Sequence, residues 1–166
     1  MFYQRNWVAV IVVILGFAMF IPVAQAQRQD YEGVLCSAQT GSAVQASPGE
    51  IYVGSFEQKG IFQSTHESKL FDNWTGHAVG VVKGQSGKWS WNGFHKGMGP
   101  DGDFIIYEFS GDSQSGITTA KAIYGTGKWK GVKGEVKFNR ITKGKPIVPY
   151  TDQFCEKQVG WIELPK

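Results

Sequence analysis

The chain has 166 residues, with 17 lysines and arginines against 14 aspartates and glutamates, and an aromatic share of 14%. That length suits one domain with a core of ordinary size. Its cations are scattered among carboxylates rather than gathered in a stripe, so the composition implies no nucleic-acid partner.

Residues 1–26 begin MFYQRN, with Arg5 as the one cation, continue as an apolar run from Trp7 to Val23 and end on Ala24-Gln25-Ala26, a small-x-small cleavage pattern. This is the form of a secretory signal peptide. The run approaches the ~20 residues that span a bilayer, which leaves a retained anchor as the alternative, although Pro22 breaks its end and Ala26 offers the cut. Cleavage would give a secreted or periplasmic protein with no stable membrane insertion. In that oxidising space Cys36 and Cys155, the only two cysteines, are expected to close as a disulfide, with two buried thiols as the alternative.

Residues 27–48, QRQDYEGVLCSAQTGSAVQASP, show little periodicity and are expected to form a leader draped over the domain and pinned by Cys36. Residues 49–166 form the predicted domain. From Ile51 onward, apolar residues recur at every second position, as in His77-Val79-Val81, Trp89-Trp91, Phe104-Ile106, Ile117-Thr119, Val136-Phe138 and Val159-Trp161. Period two with turn signals such as Gly84-Gln85-Ser86-Gly87 predicts short antiparallel strands and an all-β fold. A sheet of about eight strands hides its edges most economically as a single up-and-down barrel, with a two-sheet sandwich as the alternative. Residues 143–152, KGKPIVPYTD, read as a loop before the last strand.

The stretch YGTGKWKGVKGE, residues 124–135, is glycine-rich and basic like a phosphate loop, but Trp129 follows Gly127-Lys128 where Ser or Thr is required, and no helix follows. It is expected to be a tight bend whose glycines supply positive φ and whose Trp129 plugs a barrel end. It shares Gly-Lys-Trp with SGKWSWNGF at 86–94, which reads as the same device: a glycine turn, a lysine in water and a tryptophan entering the core. The bend resembles the Gly-Thr-Gly-Lys-aromatic-x-Gly-x-x-Gly stretch of the allene oxide cyclase and dirigent superfamily of calycin-like barrels, and of exported bacterial proteins that share that barrel. In the bacterial members a Pro-Asp-Gly-Asp hairpin precedes it, and GPDGDFIIYEF at 99–109 stands in that order here. The resemblance covers roughly residues 50–164 and implies an eight-stranded barrel with an apolar lumen. In this superfamily some members cyclise or isomerise small hydrophobic molecules and others steer radical coupling. Asp101, Gly102 and Asp103 match the hairpin, and Gly125, Gly127, Lys128, Trp129, Gly131 and Gly134 match the bend. No catalytic residue of the cyclases is matched.

Asp101-Gly102-Asp103 is expected to be a hairpin turn and not a calcium loop, because a strand follows where the remaining ligands would stand. His66, His77 and His95 lie at no ligand spacing, so no metal is expected. His77 and His95 share the alternation of their strands, and both are candidates for an inward face. Glu108 is in phase with Phe104 and Ile106 within FIIYEFS. If that face is the lumen, Glu108 is a buried carboxylate, a candidate acid or base with Lys121 or His95 as partner. If the opposite face is inside, Tyr107 offers its hydroxyl there. Phe104, Ile106, Trp89 and Trp91 complete the candidate ligand-binding set, and no cofactor is expected. The sequon Asn73-Trp74-Thr75 has a meaning only on a eukaryotic secretory route. Three functions remain open: a barrel that binds a small hydrophobic or amphipathic molecule, a cyclase- or isomerase-type enzyme, and a filled barrel serving as a structural or protein-interaction module; assembly as a homo-oligomer is open with any of them.

Overall fold

The computed structural model describes residues 27–45, 51–148 and 151–165. The expected signal peptide, residues 1–26, lies outside them. Eight strands follow one another: β1 (Arg28–Gln45), β2 (Ile51–Ser64), β3 (Trp74–Gln85), β4 (Lys88–Met98), β5 (Phe104–Asp112), β6 (Ile117–Gly125), β7 (Lys133–Gly144) and β8 (Thr151–Glu163). Each pairs antiparallel with the next, and β8 returns to pair with β1, so the sheet is a closed up-and-down barrel. Closure leaves no edge strand.

The stretch expected as a draped leader is instead β1. It pairs with β2 from Gly33 to Gln45 and with β8 from Arg28 to Thr40. Alternation is faint there because Gly33, Ser37, Gln39 and Gly41 occupy inward positions between Tyr31 and Leu35 and the rim. Cys36 faces Cys155 directly in the β1–β8 ladder, the two Cα atoms are 4.0 Å apart, and the disulfide is formed on the outer wall.

The two barrel ends differ. β1, β3, β5 and β7 end, and β2, β4, β6 and β8 begin, at one end of the barrel, which is open. At the other end the chain packs a plug of aromatic rings. Phe71, from the loop between β2 and β3, sits 4.7 Å from Tyr31, 4.6 Å from Trp74 and 5.3 Å from Trp129 between ring centroids. Ile105 and Ile162 are fully buried beside them. Phe71 holds a φ of 64°, a conformation that bulky residues rarely adopt. Its buried ring at the centre of the plug is what offsets the strain.

Trp129 ends a single 3-10 turn, Gly127–Trp129, and is 5% exposed. The glycine bend and the Asp-Gly-Asp hairpin, separate in sequence, lock together in space. Thr126 accepts from the Phe104 amide at 2.9 Å and donates to Asp103 at 3.3 Å, and Lys128 Nζ donates to Asp101 at 2.7 Å. The Lys128 backbone N–H donates to the Asp103 carboxylate at 3.4 Å. The anion that this glycine bend receives is therefore the protein's own side chain. Gly127 has a φ of 50°, and a Cβ there would overlap the Asp103 carboxylate. Gly127→Val is expected to lower stability by at least about 1–3 kcal/mol through backbone strain, seen as a lower urea midpoint. It should leave nucleotide affinity unchanged, and a nucleotide held by the wild type and lost in the variant would contradict the assignment.

The other tryptophan of the sequence echo behaves differently. Trp89 stands at the open rim, 40% exposed, with its ring 4.9 Å from that of Tyr52.

Candidate functional site

Strand pleating sends alternate residues inward, and the burial of Ile105, Tyr107 and Phe109 fixes the inward set of β5. Glu108 therefore points outward and is exposed, with Phe94 and Lys121 as its register partners. Phe104 and Ile106 share that outer face. Phe104 is covered by the Lys96 ammonium at 4.2 Å and by Tyr124 at 6.0 Å between centroids. Both faces of this strand are apolar, the outer one because of local surface packing, and that misdirects a reading of Glu108 as lumenal. His77 also faces out, with its Nε2 2.8 Å from Glu57. His66 lies in the exposed loop before β3. Among the described residues no three acidic, histidine or cysteine side chains are grouped to hold a metal ion.

Four of the expected residues face the lumen. Trp89, Trp91 and His95 project from β4 and Tyr107 from β5. Above His95 the barrel encloses a cavity of about 750 Å³ that opens at the unplugged end, a volume within the ordinary range for small-molecule sites. Phe56, Phe109, Phe138 and Trp91 form its aromatic walls, with Ala78 and Leu35 near the base. The Trp91 indole N–H donates to Thr118 at 2.8 Å, which fixes the ring while its apolar face lines the cavity.

Above Phe138, the wall contributed by β7 and β8 carries charged side chains. Arg140 lies over the Phe154 ring, 3.8 Å from its centroid, and Lys143 pairs with Asp152 at 3.0 Å. Glu156 sits opposite Arg140 in the strand register. Burial pushes its carboxyl above the usual carboxylate range, while the charge of Arg140 and a hydrogen bond with Gln58 pull in the other direction. Gln58 also donates to Ser37 at 3.0 Å. Glu156 thus has the buried environment expected at Glu108. Its signal was available in the order Phe154-Cys155-Glu156: a cysteine paired across the outer wall turns its two neighbours inward.

His95 forms the floor. Its ring stacks on Tyr107 at 6.1 Å and meets the edge of Phe138 at 6.3 Å. Burial, with a smaller contribution from His77, lowers its pKa to about 4, so the imidazole is neutral at pH 7. Its Nε2 is buried without a hydrogen-bond partner among the described residues. That atom fits because residue 76 is glycine: a Cβ there would come within 2.8 Å of it. Beneath the floor lies a void of about 30 Å³ bordered by Tyr31, His95, Tyr107 and Gln158, room for a single water. Burial raises the hydroxyl pKa of both tyrosines well above the ordinary value, so each stays a neutral donor. The cavity can therefore enclose a largely apolar molecule, meet a polar group along one wall, and offer one carboxyl of raised pKa.

No protein-family model matches the sequence, and no curated protein matches it. Solved structures do match by shape. A pterocarpan synthase dirigent protein superposes with a TM-score of 0.53 at 8% identity, over 86% of this chain and 95% of that one. A nonspecific heme-binding cyclase that catalyses a cycloaddition in neoabyssomicin biosynthesis gives 0.49 at 13% identity, over 99% and 81%. The Diels-Alderase AbmU of Streptomyces koyangensis gives 0.47 at 13% identity, over 99% and 83%. The chain has the closed eight-stranded barrel of the dirigent proteins, the fold that its glycine bend and Pro-Asp-Gly-Asp hairpin resemble.

Proposed function

We propose that the chain is exported and that its barrel takes up a small hydrophobic or amphipathic molecule through the open end. The observation that carries this reading is the cavity of about 750 Å³, aromatic on one side and charged along β7 and β8 above Phe138. A filled barrel of purely structural role has no use for such a space, since interiors otherwise pack close to solid density. The apolar part of the ligand lies against Phe56, Phe109 and Phe138, and its polar part reaches Arg140, Gln58 and Glu156. A cyclase- or isomerase-type activity is the second reading, and the position of Glu156 favours it. A carboxyl whose pKa is raised by burial inside an aromatic chamber is suited to passing a proton to or from a bound substrate.

The test uses 1-anilinonaphthalene-8-sulfonate, an apolar dye with one anionic group. Ala78 is buried against the cavity while Val79 faces water. Ala78→Trp is expected to weaken dye binding at least about tenfold, equivalent to 1.4 kcal/mol, and Val79→Trp to leave it unchanged, with circular dichroism confirming that both fold. Equal binding by the two variants would place the dye outside the lumen and defeat the proposal. Native mass spectrometry of the wild type should in addition show a co-purifying molecule that Ala78→Trp lacks.

A further inference from the structure

The rim of the open end carries the most exposed apolar side chains among the described residues. Among the described residues, the three most exposed large apolar side chains are Ile147 at 84%, Val44 at 77% and Val148 at 58%, and all three stand at this end. Ile51, Trp89 and Ile117 are about two-fifths exposed on the same rim. These six residues stand at the strand ends around the mouth and in the segment after β7, so they ring the opening, while less exposed apolar side chains than its three outermost, such as Val53 and Val81, continue down the wall. Exposed apolar groups gathered at one place mark a contact surface.

The charges around the ring are mainly positive. Lys83 and Lys88 flank the β3–β4 hairpin, and Lys143 and Lys145 lie at the end of β7 and just beyond it. The described carboxylates at this end are Asp112 and Asp152. Asp112 accepts from the backbone of Gln114 and Ser115 at 2.8 Å each, and Asp152 pairs with Lys143. At the plugged end, carboxylates such as Glu67, Asp72, Asp101 and Glu163 are interspersed with the lysines.

We propose that the open end docks on an anionic lipid bilayer. The apolar tips enter the interfacial zone and the lysines meet headgroup phosphates, the combination by which peripheral proteins hold a charged membrane. The contact is shallow and reversible, since no residue of the rim spans the bilayer. It turns the cavity mouth toward the lipid, a source of apolar molecules that water holds poorly. Among the described residues no helix is long and apolar enough to cross a membrane.

Ile147→Trp gives a reporter on the most exposed tip, and Ile123→Trp a control on the barrel wall, where the side chain is 52% exposed. The exported protein is titrated with vesicles of mixed phosphatidylethanolamine and phosphatidylglycerol, and separately with phosphatidylcholine vesicles. The emission change that vesicles add over the parent protein should be a blue shift for Ile147→Trp with the anionic vesicles and nothing for Ile123→Trp. The triple change Val44→Ser, Ile147→Ser, Val148→Ser should reduce vesicle flotation at least about tenfold. Reversal of Lys83 and Lys88 to glutamate should weaken binding to anionic vesicles, and added salt should do the same. Ala78→Trp, which fills the lumen, should still float with the vesicles, so this result and that of the cavity test are independent. Absence of a shift at residue 147, or flotation unaffected by the three serines, would overturn the proposal. A dimer in sedimentation that the same three serines dissolve, without vesicle binding, would assign the rim to a second copy of the chain and overturn it equally.

Discussion

Replacing Cys36 and Cys155 together by alanine is expected to cost more stability than any other pair of substitutions on the outer wall, up to about 5 kcal/mol. The bond joins residues 119 positions apart, and closing a loop of that length removes much of the freedom of the unfolded chain. Because the effect lies mainly in the unfolded state, the variant should show a lower urea midpoint together with a steeper dependence on urea, as a less restricted chain exposes more surface. Cys36 is exposed, so reductant reaches the sulfurs without prior unfolding, and reduced wild type should melt like the variant. A midpoint unmoved by either treatment would mean that the strand ladder alone holds this seam. Free thiols at both positions after denaturation of the protein isolated without reductant would remove the disulfide altogether.

The second large effect is expected at the plug. Trp129→Ala removes the ring that packs 5.3 Å from Phe71 and 5.4 Å from Trp74, and the loss should reach about 3–5 kcal/mol, the usual cost of emptying a buried tryptophan site. Trp129→Phe should cost far less. The indole N–H of Trp129 is buried without a partner among the described residues, so a phenyl ring gives up packing volume and relieves an unsatisfied donor at the same time. The two variants compared by urea unfolding separate packing from polarity: similar losses would mean that the shape of the indole, and not simply an aromatic filler, closes the barrel. Dye binding at the open end should survive in Trp129→Phe, because His95 and its neighbours lie between the plug and the cavity.

The strands from β2 onward were legible because one face of each packs against the lumen, and period-two alternation records that directly. β1 was not, because what makes it a strand is the pair of ladders it joins. Its inward positions carry Gly33, Ser37, Gln39 and Gly41, which leave space for the neighbouring rings and for the cavity, and so they print no apolar rhythm. The bend at 124–135 was legible as architecture because a phosphate loop needs a helix that the sequence lacks. The structure adds what spacing could not show, that Asp103 supplies the anion. The site was legible only in part. Trp89, Trp91, His95 and Tyr107 were named from their strands, but the face of β5 was ambiguous, with Phe104 and Ile106 on one side and Ile105 and Phe109 on the other. Parity of that kind is settled by three-dimensional burial, and a shift of one residue exchanges every side chain between lumen and solvent. The polar wall of Arg140, Asp152 and Glu156 went unread because charged residues on strands ordinarily face water.

The ladder between β1 and β8 has a consequence for when the protein can form. These strands are the first and last of the described chain, and each is the other's neighbour, so the barrel has no closed form until its final strand has been made. Until then β1 and the growing end both present unpaired edges, the feature most prone to join another chain. Pairing over so long a separation is also the slowest kind of contact to establish. A chain threaded across a membrane from its N-terminus would deliver β1 first and leave it waiting longest. The transit time of the last strand would then decide whether β1 meets its own β8 or the β8 of a neighbouring molecule.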